Sequence, residues 1–117
     1  MTRKLVDPQG RVPARVLRKA LEAVNAIRQA YGAKPLKKLP RGEPVSSCNC
    51  PVARALKPVG VNSVHDSGIR ITRTEPVFGA ATDIRLRVGD PAMNEQSQVH
   101  MRDIQRFILA FDTDPND

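Results

Sequence analysis

Cys48 and Cys50 stand two residues apart, and with His65 and His100 they are the only thiols and imidazoles in the chain. As a set they match the nitrogen and sulfur ligands that tetrahedral zinc takes. The Cys-x-Cys step is tighter than zinc-binding cysteine pairs normally use, and both histidines are distant in sequence. Zinc at Cys48, Cys50, His65 and His100 is therefore an expectation from residue type. His100 adds to it, because helical spacing puts an imidazole on an apolar face, where it needs a partner. The alternative is two small apolar residues packed under a loop and a histidine satisfied by a hydrogen bond. Cys50 also precedes a Pro that suits a helix start, where the helix dipole lowers a thiol pKa and favours a nucleophile. No histidine neighbours it, no glycine-rich oxyanion loop accompanies it, and no acid–base pair converges on it. The sequence predicts a protein that is not an enzyme.

Charge is the larger chemical signal. Residues 1–41 hold eleven Lys or Arg against two acids, Asp7 and Glu22, a local charge of +9. The rest of the chain is slightly acidic, with eight bases and ten acids, and the whole carries +7. Asymmetry of this kind points to a polyanionic partner. At helical spacing Arg15, Arg18 and Lys19 share one face with Glu22, and Arg11 joins them if the helix begins a turn early. Lys34, Lys37, Lys38 and Arg41 follow in a Pro-punctuated stretch that reads as an extended arm. These eight bases are the predicted contacts to a nucleic-acid backbone. Aromatic residues are few (Tyr31, Phe78, Phe107 and Phe111), which disfavours a base-stacking platform and favours a duplex. The alternative partner is an acidic protein surface, met by the same bases as part of an interaction module. A second basic patch is expected where Arg85 and Arg87 alternate with Ile84, Leu86 and Val88, with Arg70 joining them on the open face of a sheet. Its plain reading is a solubilising surface.

The elements that must carry these residues form an α+β pattern in one domain of 117 residues. Leu17, Ala20, Leu21, Val24, Ile27 and Tyr31 recur at helical steps and predict an amphipathic helix from about Pro13 to Tyr31, stopped at Gly32. Arg28 falls within that stripe near the C-terminal turn, where the dipole favours a cation and its stem can pack while its head reaches water. Residues 1–12 read as a flexible N-terminus, and 33–50 as the basic Pro-rich arm, followed by a short helix over Pro51–Lys57. From Val59 the period becomes two. Val61–His65 and Ile69–Thr74 flank an Asp66-Ser67-Gly68 hairpin loop, and a strand runs through Ile84–Val88. Val77-Phe78 reads as a further short strand before a Gly79-Ala80-Ala81 turn. A small, mostly antiparallel sheet of three or four strands follows. Met101, Ile104, Phe107, Ile108 and Phe111 predict a last helix, with candidate starts at Asp90-Pro91, Asn94 or Ser97, and residues 112–117 read as an acidic tail.

The segment Cys50-Pro51-Val52-Ala53-Arg54-Ala55-Leu56 resembles a Cys-Pro-x-Ala-x-Ala-Leu stretch found in a group of short actinobacterial and actinophage proteins. Leu39-Pro40-Arg41-Gly42 and the Phe107–Asp112 stretch are similar in flavour. The resemblance implies an origin in a phage or its actinobacterial host and no activity; a phage origin would favour a small effector that binds a host protein. The charged start around Arg3 and Lys4 lacks a following apolar run, and the longest apolar stretch, Phe107–Phe111, is too short for a bilayer. A cytoplasmic location and no membrane partner are the expectations.

Overall fold

The computed structural model describes residues 5–74 and 81–113. It is an α+β domain: α1 (Ala14–Ala30), α2 (Pro51–Leu56) continued by a 3₁₀ turn (Lys57–Val59), β1 (Val61–His65), β2 (Gly68–Thr74), β3 (Ala81–Arg87) and α3 (Glu95–Asp112). The strands form an antiparallel sheet in the order β1-β2-β3. Among the described residues no helix is long and apolar enough to cross a membrane. The expected Val77-Phe78 strand lies outside the described residues, whereas Ala81, expected in a turn, pairs with Thr74 as the first residue of β3.

α1 buries Ala20, Ala23, Val24 and Ile27 against α3 and α2. Their steps keep one stripe inward and turn Arg15, Arg18, Lys19 and Glu22 outward. α3 starts at the latest but one of its candidate positions. Asn94 caps it, its side-chain oxygen accepting from the Ser97 amide at 2.8 Å, while Asp90 closes a separate turn by accepting from the Ala92 amide. Met101, Ile104, Phe107, Ile108 and Phe111 are buried, and the rings of Phe107 and Phe111 stack with centroids 5.6 Å apart. Such a pair contributes about 1 kcal/mol beyond the area it buries.

The sheet departs from simple alternation at one point. Val61 pairs with Ile71 but Ser63 pairs with Arg70, so Asn62 is the extra residue of a bulge. The bulge lets Val61 and Val64, three residues apart, both face the core. The hairpin is also tighter than expected: Gly68 pairs with His65, leaving Asp66 and Ser67 as the loop. Val64, Ile69 and Leu86 form a row on the inner face, where α2 packs on β1 and α3 on β3.

The segments expected to be loose are held. Val6 and Gly42 exchange two backbone hydrogen bonds, and Pro8 and Val12 are buried, which ties down residues 5–12. Gly42 is required there, because a Cβ would collide with the Cys50-Pro51 peptide. The arm has no regular structure, yet the Asn25 side chain both accepts from the Leu36 amide and donates to the Leu36 carbonyl, and Leu39 is buried. Asp112 belongs to α3, not to a tail. Its carboxylate accepts from the Val45 amide at 2.8 Å and holds that β-branched residue at φ 54°, a left-handed conformation that costs it about 1–2 kcal/mol.

Candidate nucleic-acid interface

The exposed ridge of α1 runs between two clefts. On one side α1 faces the arm, and Arg18, Lys37 and Lys38 line a cleft of about 260 Å³ with Leu17, Leu21 and Leu39. On the other side it faces α3, and Arg15, Lys19 and Arg106 line a cleft of about 340 Å³ with Asp103. The helical period explains the split: Arg18 leans toward Leu17 and Leu21, while Arg15 and Lys19 flank Val16. Six bases therefore border one continuous strip of surface, formed by arm, α1 and α3 in turn. Asp103 offsets part of the charge. Lys19 also pairs with Glu22 at 3.8 Å, an exposed contact contributing only about 0.3–0.5 kcal/mol. Arg15, Arg18, Lys37, Lys38 and Arg106 make no side-chain hydrogen bond or ion pair among the described residues.

Arg11 does not belong to this strip. Its Nε donates to the Phe111 carbonyl at 2.7 Å, and its guanidinium lies 5.2 Å from the centre of the Phe111 ring. It satisfies an orphan carbonyl in the last turn of α3 and adds a cation–π contact. Arg28, expected to reach water, is likewise engaged: it donates to the carbonyls of Lys34 and Ala55, clamping the start of the arm to the end of α2. Lys34 and Arg41 are exposed on the arm but line neither cleft. Arg106 is the residue that sequence reasoning missed. Its place on the polar face of α3 was legible, but its position beside α1 follows from how the two helices pack.

The four expected zinc ligands are not gathered. Cys48 is exposed and Cys50 is buried. His65 is exposed at the end of β1, and His100, on α3, lies 3.3 Å from the Gln96 amide nitrogen one helical turn away. Among the described residues no three His, Cys, Asp or Glu side chains form a group able to hold a metal ion. Nor is Cys50 a primed nucleophile. It caps α2, its Sγ accepting from the Ala53 amide at 3.4 Å. Burial outweighs that bond and pushes the thiol up to about 11, with the Asp112 carboxylate adding to the rise. The thiol is protonated at neutral pH and serves as a small core residue.

Comparison with known proteins finds no matching family model, no matching curated protein and no matching solved structure.

Proposed function

We propose that this protein binds nucleic acid through the phosphate backbone, with the ridge of α1 as the contact line and the arm and α3 as its two shoulders. The observation that carries the reading is the gathering of Arg18 with Lys37 and Lys38 around one cleft, from segments about 20 residues apart. Arg15, Lys19 and Arg106 extend the same strip across the second cleft. Cations in a row, five of the six without a partner among the described residues and with no aromatic ring among them, suit a repeating array of phosphates and not base edges. A duplex is the expected form, and preference among sequences is expected to be low.

A second reading is favoured by the apolar floor that Leu17, Leu21 and Leu39 give the arm-side cleft. There an acidic protein segment with an apolar anchor would dock, its carboxylates on Arg18, Lys37 and Lys38. The two readings separate in a titration of labelled duplex DNA, single-stranded DNA and RNA across a salt series. With about five phosphate contacts, log affinity for the duplex falls against log salt with a slope of about −4 to −5. A variant carrying Arg15→Gln, Arg18→Gln, Lys37→Gln and Lys38→Gln shallows that slope by about 3–4. Absence of duplex binding at low salt would overturn the nucleic-acid reading and leave the acidic protein partner.

A further inference from the structure

The sheet ends at β3, and among the described residues no strand or bridge pairs with its far side. Register shows which of its backbone groups face that side. In an antiparallel pair, successive residues turn their amide and carbonyl alternately toward and away from the neighbouring strand. The Val88 amide donates to the Ser67 carbonyl, one pair beyond Gly68 and Arg87. A Cβ on Gly68 would collide with the Leu86 carbonyl oxygen. Both observations turn the groups of Leu86 and Val88 toward β2, so those of Asp83, Arg85 and Arg87 point away from it. The Arg87 carbonyl accepts from the Asp90 amide at 3.3 Å. The amides and carbonyls of Asp83 and Arg85 have no backbone partner among the described residues, which leaves a template for another strand.

Charge along this edge is also unmet. On the outer face Arg70, Arg85, Arg87 and His65 rim a hollow of about 260 Å³ over Gly68, and among the described residues no carboxylate lines it. Arg70 stands directly opposite Arg85, a like-charge pair that weakens a sheet. The side chains of Arg85 and Arg87 make no hydrogen bond or ion pair among the described residues. On the inner face Leu86 is only half-buried and borders a cleft of about 490 Å³ with Ile27 and Tyr31. We infer that β3 pairs edge to edge with β3 of a second copy, antiparallel about a two-fold axis, so that two three-stranded sheets become one. The strand itself selects this partner and its register. Its outward groups belong to odd-numbered residues, so only a register that sets odd opposite odd closes the ladder. With the axis at Ile84, Asp83 of each copy stands opposite Arg85 of the other, and Ala81 stands opposite Arg87. Opposite charges then meet and no like charges do. An axis at Arg85 or at Asp83 sets that residue against its own copy, and an axis at Leu86 sets Arg85 against Arg87. The favoured register also sets Ile84 opposite Ile84 and Leu86 opposite Thr82, continuing the inner face across the axis. Arg85 gains an acidic neighbour on one side that offsets Arg70 on the other.

The test is sedimentation equilibrium of the full chain over a concentration series, with amide hydrogen exchange followed residue by residue. An edge this short makes an interface at the small end of the specific range, so a dimer is expected at high micromolar protein and a monomer at nanomolar. Protection of the Asp83 and Arg85 amides should rise by at least about tenfold between those limits. The Leu86 amide faces β2 in either state and should be protected throughout. Asp83→Arg and Arg85→Asp each set like charges against one another across the axis, and each variant alone should stay monomeric. Arg85→Asp also places a carboxylate opposite Arg70, so its loss of pairing cannot be put down to a weakened sheet. An equimolar mixture of the two variants should form a heterodimer, because each Arg of one then meets an Asp of the other. A wild-type chain still monomeric at about 1 mM, a dimer whose Asp83 and Arg85 amides exchange freely, or a mixture that stays monomeric would overturn the pairing.

Discussion

On α1 the cations stand on a convex ridge and its shoulders, spaced along a line, with only Lys19 of the six paired among the described residues, to Glu22. On the sheet they ring a hollow whose floor is a glycine. The residue types are nearly the same, and the shapes are opposite. A convex line of charges meets a repeating anion one charge at a time, each contact releasing a counterion. Cations set side by side across a sheet face load the strands that carry them with mutual repulsion, as Arg70 opposite Arg85 does. Count and sign of charge therefore say less about the ligand than the backbone geometry that spaces the charges.

The sharpest way to break this contrast is to exchange the lesions. Replacing Arg15, Arg18, Lys19, Lys37 and Lys38 by Gln is expected to reduce duplex affinity by about 100-fold or more near 0.1 M salt, measured by fluorescence anisotropy. Replacing Arg85 and Arg87 is expected to change it by less than about threefold, since rim charges add only a screened field. Equal losses in both would mean one diffuse positive field and would dissolve the comparison. Next in size is the division between binding and anchoring arginines. Arg28→Gln is expected to cost about 1.5–3 kcal/mol in urea unfolding, because it strips charged donors from two carbonyls. It should leave the salt slope of duplex binding unchanged, whereas Arg18→Gln should do the reverse.

A comparable effect is expected from pH at Cys50, a group outside both cationic surfaces. Its folded-state value near 11 lies above the ordinary 9.0, so the folded state favours the protonated thiol. The associated stability is complete below about pH 9 and is lost as pH rises toward 11, a fall of about 2–3 kcal/mol. Cys50→Ser keeps the cap on α2, since a hydroxyl accepts the Ala53 amide at least as well, and should remove that part of the decline. The comparison of interest is the difference between the two stability–pH curves, in which every contribution common to both proteins cancels. The smallest effect sharpens the edge of the strip. Arg106→Gln should shallow the salt slope by about one unit, and Arg41→Gln, which lines neither cleft, by none.

Much of the scaffold was legible from spacing. The stripe through Ala20, Val24 and Ile27 marks α1 to within a residue at each end, and the alternation from Ile84 to Val88 marks β3. Pro51 and Pro58 bracket the short helix for the reason prolines bracket helices generally. Other features leave no periodic trace. Bonds from Asn25 to Leu36, or from Arg28 to two carbonyls, join a side chain to a backbone whose position depends on the whole fold. Arg11 and Arg15 are four residues apart and chemically identical, yet Arg11 precedes α1 and is anchored on Phe111 while Arg15 stays a candidate contact. The Asn62 bulge is equally silent, because one additional residue in a strand changes no composition. The hollow at Gly68 required the register of three strands, although Arg85, Arg87 and Arg70 were already visible as one patch.

The bond from Arg11 to the Phe111 carbonyl closes across 100 residues. During synthesis, the segment that enters α1 therefore waits for about 100 further residues to emerge before it has its docking surface on α3. For that interval its ridge is a basic segment without the neighbour that supplies Arg106 and Asp103. At elongation rates of about 5–20 residues per second the delay is several seconds, long compared with helix formation. On the proposed function, a nascent chain would meet polyanions with its charged helix before the α3 shoulder exists. Variants that weaken the Arg11–Phe111 contact would lower the stability of the finished fold and leave that interval, which elongation sets, unchanged.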